Sequence, residues 1–248
     1  MSYTSVFAVT SPDKNANIAG GFSIGVIIPA LDEERSIEHV IREIPSTVQE
    51  VVVVDNGSTD RTIEAAQAAG ATVLSERRRG YGYACLKGIE YFSAKGIDIV
   101  VFLDGDYSDY PEELTGLVAP IIKHGYDFVI GSRIRGVRQK GAMLPQAIIG
   151  NWLATRLIRL FWGYIFTDLG PFRAIRFSSL QELAMKDGTY GWTVEMQIKA
   201  AKKKLRCLEL PVRYRHRIGK SKVTGTIGGT LKASVKILKM IAVHAISN

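Results

Sequence analysis

The sequence predicts an α/β fold in which a mostly parallel sheet is flanked by helices, and three observations predict it. The 248-residue chain is 46% hydrophobic, which is enough to bury the core of a full-sized domain. Short apolar runs alternate with helical patterns through its first half, as in βα units. Polar residues follow these runs, at the carboxyl ends where parallel sheets bind ligands. The same pattern therefore predicts the edge of the sheet that carries the site.

Five apolar runs are the predicted strands of the first half. They span residues 23–29 (SIGVIIP), 50–55 (EVVVVD), 71–75 (ATVLS), 97–104 (IDIVVFLD) and 127–132 (DFVIGS). Helices are predicted between them, beginning near Glu33, Thr59, Tyr81 and Pro111. Ser58 or Thr59 would cap the second of these helices, and Gly70 would end it.

The second half is less regular and ends in an amphipathic helix. Helices are predicted over residues 145–164 and 192–204, with a strand at 207–212 and a closing helix at 226–246. An apolar stripe recurs on the closing helix at spacings of three and four residues, at Ile227, Leu231, Val235, Leu238 and Ala242. We expect this stripe to pack on the domain or against another subunit. Contact with a membrane surface is the alternative, because lysines at positions 232, 236 and 239 lie beside the stripe.

The sequence predicts three segments in the chain. Residues 1–22 have neither a basic n-region nor an unbroken apolar h-region, so we expect a loosely ordered leader there. Residues 23–225 form the predicted domain, and residues 226–248 form the C-terminal helix. The most apolar stretch, residues 148–166, contains Arg156 and Arg159 and is not a typical membrane span. We expect a soluble or peripheral protein.

The net charge indicates which kinds of partner the protein binds, and the cysteines indicate its cellular compartment. A formal net charge of +8 favours an anionic partner, which can be nucleic acid, a membrane surface or a phosphorylated small molecule. Cys85 and Cys207 lie far apart and in no metal or redox spacing. This usage is typical of a reducing compartment. We therefore expect a cytoplasmic location, with peripheral membrane contact and a homo-oligomer left open.

Asp104 and Asp106 lie one residue apart at the end of an apolar run, where their charges repel. A divalent cation would compensate them, since Mg²⁺ and Mn²⁺ take carboxylate oxygens and are usually completed by substrate phosphates. The alternative is a solvated acidic turn at the start of the helix that begins at Pro111. We adopt that alternative for the acids further along the chain, Asp109, Glu112 and Glu113.

An ordered set of motifs runs through most of the chain. PALDEERSI, VVVVDNGSTDRT, RRGYGYACLKG, FLDGDYSDYPEEL and VIGSR are followed by TDLGPFRAIR, YGWTVEMQIKA and RIGKSKVTGT. In this order and spacing the chain resembles the family 2 glycosyltransferases of the GT-A fold, and most closely the branch with dolichyl-phosphate mannose and glucose synthases. The resemblance covers residues 24–226. It implies an inverting transfer of a hexose from a nucleotide-diphosphate sugar.

The resemblance also implies roles for the residues at the strand ends. Residues that hold the nucleotide would be Pro29, Leu31, Glu33, Asp55 and Asp104. Asp104 and Asp106 would form a DxD motif that carries Mg²⁺ or Mn²⁺ on the diphosphate. Asn56 stands where the family usually has an acid, which leaves the choice between uridine and guanosine open. Ser108 stands where the synthases can offer a polar ligand, and Arg79 lies where the family has a basic residue near the sugar donor.

Basic residues would meet phosphate. Arg133 would approach the diphosphate or sugar, and a basic loop would bring Arg217, Lys220 and Lys222 over the site as charge-assisted hydrogen-bond donors. The sequence RHRIGKS is not a P-loop, because Tyr214 stands where that motif requires glycine.

Two acids match acidic positions of the synthase branch near the acceptor, Asp168 and Glu195, and either is a candidate catalytic base. The alternatives are a structural ion pair for Glu195, which lies in a predicted helix, and a cap or turn role for Asp168. Arg173 follows Asp168 closely enough in the sequence to pair with it.

The leading acceptor is a polyprenyl phosphate, whose oxygen is already anionic at neutral pH and needs no strong base. Residues 145–153 lack the positive charge that such synthases usually carry there, so a soluble hydroxyl acceptor remains the alternative.

A nucleotidyltransferase is disfavoured because PALDEE stands where that class has a glycine-rich loop after the first strand. A non-catalytic nucleotide-sugar-binding protein is the remaining alternative. We expect no nucleic-acid partner, because the acidic strand ends would repel phosphate without a metal.

Overall fold

Seven strands form one sheet in the computed structural model, which describes residues 21–219 and 227–246, with the side chains of the last helix described from residue 234. The order across the sheet is β3-β2-β1-β4-β6-β5-β7, and only β6 runs antiparallel to its neighbours. The strands are β1 Ile24–Ala30, β2 Glu50–Asp55, β3 Thr72–Ser75, β4 Ile99–Phe102, β5 Phe128–Ser132, β6 Arg173–Arg176 and β7 Cys207–Pro211. The predicted mostly parallel α/β architecture is confirmed.

Eight α-helices within these residues flank the sheet. They are α1 Ile37–Glu43, α2 Thr62–Ala68, α3 Tyr81–Ser93, α4 Leu114–His124, α5 Pro145–Trp162, α6 Phe177–Leu183, α7 Trp192–Lys202 and α8 Ile227–Ile246. A 3-10 turn, Pro111–Glu113, leads into α4. All the predicted helices are present, and Gly70 follows the end of α2 in the left-handed conformation that favours glycine.

The first two helices begin later than their sequence signals predict. Ser58 and Thr59 do not cap α2. Instead, the Ser58 hydroxyl accepts the amide of Asp32 at 2.9 Å, and the amide of Thr59 donates to the Asp32 carboxylate at 2.7 Å. Asp32 itself is left-handed, with φ at 51°. These contacts between two loops hold the ends of β1 and β2 together. Because Ser58 and Thr59 bond to Asp32, they do not cap a helix.

Strand β6 and helix α6 were missed by the sequence analysis. The strand has the sequence RAIR, and the arginine at each end interrupts the apolar run that is typical of a buried strand. The Arg173 side chain is nevertheless fully buried, where it donates to the carbonyl oxygens of Leu169, Gly170 and Thr193. The predicted pairing of Arg173 with Asp168 is therefore wrong, because backbone carbonyls take up its donors.

The sheet separates two apolar layers, and alternation along the strands decides which layer a side chain joins. Ile27, Val52 and Phe102 point into the layer that holds α3 and Trp192 of α7. Ile28, Val53 and Val101 point into the layer that contains α1 and α4. The register pairs Ala30 with Asp55 and Ile27 with Phe102. The residues that follow β1, β2 and β4 therefore meet at one edge.

Helix α8 packs on α5 and α7, but with a different face from the one the sequence predicts. Ile237, Met240 and Ile241 contact the core, whereas Val235, Leu238 and Ala242 are exposed. These three residues do not pack on the domain of this chain, and contact with another subunit stays a prediction for them. The side chains of Ile227, Leu231 and Lys232 lie outside the described part of the chain. Among the residues described, no helix has the length and apolar character needed to cross a bilayer.

Candidate active site

A first cavity of about 280 Å³ opens at the edge where β1, β2 and β4 end, against the start of α3. Its walls include four of the residues predicted to bind the nucleotide, Pro29, Leu31, Glu33 and Asp104. Asp106 and Arg217 also line it, together with Asn56, Arg79, Tyr81, Thr189 and Tyr190. The strand-end pattern in the sequence thus brings acidic and basic side chains to one cavity.

Asp104 and Asp106 share this cavity but differ in their hydrogen bonds. Asp104 Oδ1 is buried and makes no hydrogen bond within the described residues. Burial, followed by the neighbouring charge of Asp106, raises the pKa of Asp104 to about 7. Asp106 Oδ1 accepts the amide of Ser108 at 2.9 Å and its hydroxyl at 2.5 Å. Ser108 therefore fixes the orientation of the Asp106 carboxylate.

Arg217 occupies the space between two of these carboxylates. Its Nη1 lies 3.1 Å from Asp106 Oδ2, and its Nη2 lies 3.0 Å from Glu33 Oε1. Arg217 is the one member of the predicted basic loop whose surroundings are described. Lys220 and Lys222 lie outside the described residues. The guanidinium partly compensates the negative charge of Asp106 and Glu33.

Asp55 and Asn56 organise the turn after β2. Asp55 is buried beside the cavity, and its carboxylate accepts the amides of Gly57 and Ser58 at 3.0 and 3.1 Å. The side-chain amide of Asn56 donates to the carbonyls of Glu76 and Arg78, and its oxygen accepts the amide of Gly80 at 2.7 Å. A carboxylate could not donate those two bonds. The side-chain amide of Asn56 thus holds residues 76–80, which lead into α3, in place.

Asp109 is buried, contrary to the solvated turn that the sequence suggests. Both of its carboxyl oxygens lie inside the protein without a hydrogen-bond partner among the described residues. Burial, then the charges of Asp104 and Asp106, raise the pKa of Asp109 well above its usual value. Glu112 and Glu113 are not a free acidic turn either, because both pair with Arg213.

A second cavity of about 480 Å³ continues from the first and shares Asp104 and Asp106 with it. Much of its wall is apolar, with contributions from Met143, Leu144, Ala147, Leu169 and Ile237. Its cationic members are Arg133 and Arg217, and Tyr214 and His216 also line it. The two carboxylates therefore lie at the junction of a polar cavity and a largely apolar one.

Asp168 pairs with Arg133, which lies 35 positions earlier in the chain. Arg133 Nη2 lies 2.8 Å from Asp168 Oδ1, and both Arg133 Nε and its backbone amide donate to Asp168 Oδ2, at 2.9 and 2.8 Å. The Asp168 side chain is fully buried. Both carboxylate oxygens are therefore engaged by an arginine that lines the second cavity.

Glu195 lies beneath the site. Its carboxylate accepts the backbone amides of Lys186 and Asp187 and pairs with Lys199 at 2.7 Å. It thereby supports the segment between α6 and α7, residues 184–191, whose Thr189 and Tyr190 line both cavities.

The 184–191 segment is the part of the site that sequence reasoning missed. It packs directly on the start of α3, where a Cβ added to Gly82 would lie 2.0 Å from the carbonyl oxygen of Asp187. The amide of Tyr83 donates to the carbonyl of Gly188 at 2.9 Å. Two signals pointed to it: the motif YGWTVEMQIKA, which begins at Tyr190, and the pair of glycines in RGYGY, which allows this close approach of two backbones.

Comparisons with known proteins agree with this architecture. The family model for glycosyl transferase family 2 matches residues 25–184. An uncharacterized glycosyltransferase of Mycobacterium tuberculosis is 34% identical over 225 residues, which cover 90% of this chain and 99% of that protein. A dolichyl-phosphate hexose transferase of Haloferax volcanii is 32% identical over 220 residues, which cover 86% of this chain and 93% of that protein.

A solved structure shares the fold. The crystal structure of glucosyl-3-phosphoglycerate synthase from Mycobacterium tuberculosis, in complex with Mn²⁺, uridine diphosphate and phosphoglyceric acid, matches with a TM-score of 0.70 at 23% identity. The match covers 92% of this chain and 80% of that one. The predicted GT-A fold and the predicted resemblance are both confirmed. The chain belongs to glycosyl transferase family 2 and is a glycosyltransferase.

Proposed function

We propose that this glycosyltransferase moves a hexose from a GDP- or UDP-linked sugar onto a polyprenyl phosphate, with Mg²⁺ or Mn²⁺ and with inversion at the anomeric carbon. The observation that carries the proposal is the position of Asp104 and Asp106 at the junction of the two cavities. A nucleotide sugar in the first cavity and an acceptor in the second would meet there.

The carboxylate pair fits a divalent cation. Asp104 brings a buried oxygen that has no hydrogen-bond partner in the described part of the chain, and Ser108 holds one oxygen of Asp106 while the other lies against the Arg217 guanidinium. Within residues 21–219 and 227–246, no group of three or more His, Cys, Asp or Glu side chains is arranged to hold a metal. Two carboxylates with diphosphate and water oxygens suit Mg²⁺ or Mn²⁺. The bound ion would stabilise negative charge on the leaving diphosphate.

We expect Arg217 to bind the diphosphate of the nucleotide sugar once a metal ion is present. In the structure Arg217 pairs with both Asp106 and Glu33. Once a cation takes over this pairing, the guanidinium becomes available to the diphosphate as a charge-assisted hydrogen-bond donor. Lys220 and Lys222, which follow in the sequence, remain predicted phosphate ligands of the same kind. Asp55, beside the cavity, remains a predicted nucleoside ligand.

The acceptor proposal rests on the walls of the second cavity. Its apolar side suits a polyprenyl chain, and Arg133 offers a fixed positive charge for the phosphate, since Asp168 holds its guanidinium on two sides. Neither predicted base, Asp168 or Glu195, lines this cavity, and both carboxylates are engaged elsewhere. A phosphate oxygen needs no base at neutral pH, because its second pKa is about 6. We infer that Asp168 positions Arg133.

A soluble phosphorylated acceptor is the second candidate. The synthase that shares the fold was crystallised with phosphoglyceric acid, and Arg133 with His216 would suit a small anion as well as a lipid phosphate. A hydroxyl acceptor would need a general base near its oxygen. Among the described residues that line the second cavity, the only carboxylates are Asp104 and Asp106. This arrangement favours the phosphate acceptor.

The proposal is tested by transfer assays with the purified protein. UDP- and GDP-linked hexoses are offered with Mn²⁺, Mg²⁺ or EDTA, together with a short polyprenyl phosphate or phosphoglyceric acid. We expect turnover that requires the ion and the polyprenyl phosphate. Asp106→Asn keeps an oxygen for Ser108 but loses the charge, so kcat/KM should fall about 10²- to 10³-fold.

A matched variant controls for general damage. Glu90→Gln removes one exposed charge on α3, where Glu90 pairs with Lys87, and turnover should stay at the wild-type level. Equal turnover of Asp106→Asn and wild type, or full activity in EDTA, would contradict the metal role. Transfer to phosphoglyceric acid alone would replace the lipid acceptor with the soluble one.

A further inference from the structure

We propose that one face of the α5–α8 helix pair docks on an anionic lipid bilayer and presents the second cavity to it. The docking face consists of the exposed residues Ile149, Trp152, Leu153, Arg156, Leu160, Val235, Leu238, Lys239, Val243 and Ile246. The inference deepens the proposed function and rests on it, because a polyprenyl phosphate resides in a membrane.

Helix α5 contributes four exposed apolar residues to this face, with Arg156 among them. Trp152 is 56% exposed and Leu160 is 74% exposed, and Ile149 and Leu153 lie between or beside them at spacings of three and four residues. The opposite side of α5 is buried through Ala154 and Ile158. The helix is therefore apolar on both sides, although only one side contacts the protein.

Helix α8 extends the apolar surface alongside. It packs against α5, and its outward residues include Val235, which is 57% exposed, and Ile246, which is 85% exposed. Its inward residues, Ile237 and Ile241, join the core. Isolated exposed apolar residues are ordinary, but a run of them on two adjacent helices marks an interaction surface.

Charge identifies the occupant as a bilayer. Neither α5 nor α8 contains Asp or Glu, whereas Arg156, Arg159 and Lys239 are exposed on or beside the face. Arg156 lies over the Trp152 ring at 5.5 Å from its centroid, so an amphipathic aromatic and a cation are presented together. Apolar residues with a tryptophan and flanking cations are the composition that binds anionic membrane surfaces.

The same charges argue against a second copy of this chain as the occupant. A two-fold interface brings the same patch from both subunits together. Two such faces would place cations opposite cations, with no acid on either helix to compensate them. Anionic headgroups would compensate them.

The docking face adjoins the proposed acceptor cavity. Ala147 and Gly150 of α5 and Ser234 and Ile237 of α8 line the second cavity, and they lie within a turn of exposed members of the face. A lipid phosphate could therefore reach Arg133 from the bilayer while its chain stays among apolar side chains. The contact would deliver the acceptor and also hold the enzyme at its source.

Vesicle binding tests the face directly with the full-length protein. We expect co-sedimentation with phosphatidylcholine vesicles that contain phosphatidylglycerol, and weaker binding to phosphatidylcholine alone. Brominated acyl chains should quench the fluorescence of Trp152, with Trp152→Phe as the reference for the remaining tryptophans. Trp152→Glu combined with Leu160→Glu should weaken binding about tenfold or more. Val137→Glu is the matched control, because Val137 is exposed but lies outside the face.

The outcomes separate docking from the proposed acceptor. The double variant should keep wild-type turnover of a short, water-soluble polyprenyl phosphate and lose turnover of a long-chain acceptor in vesicles. Vesicle binding without any transfer to either lipid would leave docking in place and refute the acceptor. Wild-type binding by the double variant would overturn the docking face. So would a wild-type dimer, measured by light scattering, that this variant converts to monomer.

Discussion

The first and second cavities share Asp104 and Asp106, but their walls are built in different ways. The first is formed by strand ends whose polar groups satisfy one another, as Asp32 with Ser58 and Asn56 with the 76–80 segment show. The second is formed by helices α5 and α8 and by largely apolar side chains. One wall is fixed by backbone hydrogen bonds, and the other by packing.

This difference indicates where the enzyme is preorganised. Hydrogen-bonded strand ends hold charged groups in one geometry before a ligand arrives, which suits recognition of a diphosphate. An apolar wall recognises size and hydrophobicity, and it tolerates variation in a lipid chain. Polar links around the second cavity include the Arg133–Asp168 pair and the Lys236–Asp187 pair. Breaking each link tests how far the two halves depend on each other.

The largest effect should come from Asp168→Asn. The variant leaves the mostly buried Arg133 without its carboxylate, and breaking one partner of a buried ion pair costs about 3–5 kcal/mol. Urea unfolding should show this loss in the free energy of unfolding. Transfer activity should fall as well, because Arg133 loses its fixed position in the second cavity.

An exposed pair provides the comparison for that loss. Glu38→Gln removes a partner of Arg42 on the surface of α1, where both side chains are about half exposed or more, and it should cost less than about 1 kcal/mol. If Asp168→Asn costs no more than Glu38→Gln, the buried pair does not link the two halves. Wild-type transfer activity in Asp168→Asn would contradict the positioning of Arg133 by Asp168.

Asp109 breaks the pattern of satisfied polar groups beside the first cavity and predicts a pH dependence. Its pKa in the folded protein lies well above the ordinary 3.8, so the folded state holds that proton more tightly than the unfolded chain. The stabilisation is complete below about pH 4 and is lost as the pH rises toward the folded pKa. Asp109→Asn should therefore raise the melting temperature by a few degrees at pH 8 and change it little at pH 4.

Asp60 supplies a control of opposite sign. Burial opposes its ionisation, but hydrogen bonds from Thr62 and Glu34 outweigh burial and lower its pKa. Its stabilisation is present at neutral pH and is lost as the pH falls through the folded pKa, so Asp60→Asn should destabilise the protein more at pH 7 than at pH 3. Melting curves in EDTA across this range measure both. Equal pH profiles for wild type and Asp109→Asn would show that Asp109 is ionised in the folded protein.

The sequence reveals the strand-end half of the molecule better than the helical half. Parallel strands are buried on both faces, so VIIP and VVVV are readable without knowing their neighbours. The short strand β6 is not readable, because Arg173 owes its burial to carbonyls supplied by the turn before it and by α7. Its hydrogen bonds exist only once the chain has folded.

The candidate site divides in the same way. Asp104 and Asp106 follow a strand and belong to a recognisable motif, so their neighbourhood could be predicted. The partner of Asp168 could not, because closeness in sequence favours Arg173 while the antiparallel course of β6 brings Asp168 to Arg133. Most of the 184–191 segment lies outside the motifs, which reach it only at Tyr190 and Gly191. It enters the site because Glu195 and the glycines before α3 hold it there.

The smallest effect should come from the link between α8 and the 184–191 segment. Lys236 Nζ lies 2.6 Å from Asp187 Oδ2, and the other carboxylate oxygen of Asp187 accepts the amides of Thr189 and Gly191. Because Lys236 is partly exposed, Lys236→Met should cost only about 1 kcal/mol of stability. The segment would lose one of its anchors, so KM for the nucleotide sugar should rise a few-fold with kcat nearly unchanged.

Two variants decide whether this link positions the segment or merely stabilises the fold. Lys236→Arg keeps the charge and should restore KM, whereas a purely structural role would not separate KM from kcat. Lys239→Met, on the exposed side of the same helix, should leave hydrolysis of the nucleotide sugar unchanged in the absence of vesicles. If Lys236→Met binds the nucleotide sugar as wild type does, the strand-end cavity is independent of α8. Asp104 and Asp106 would still be shared by the two cavities.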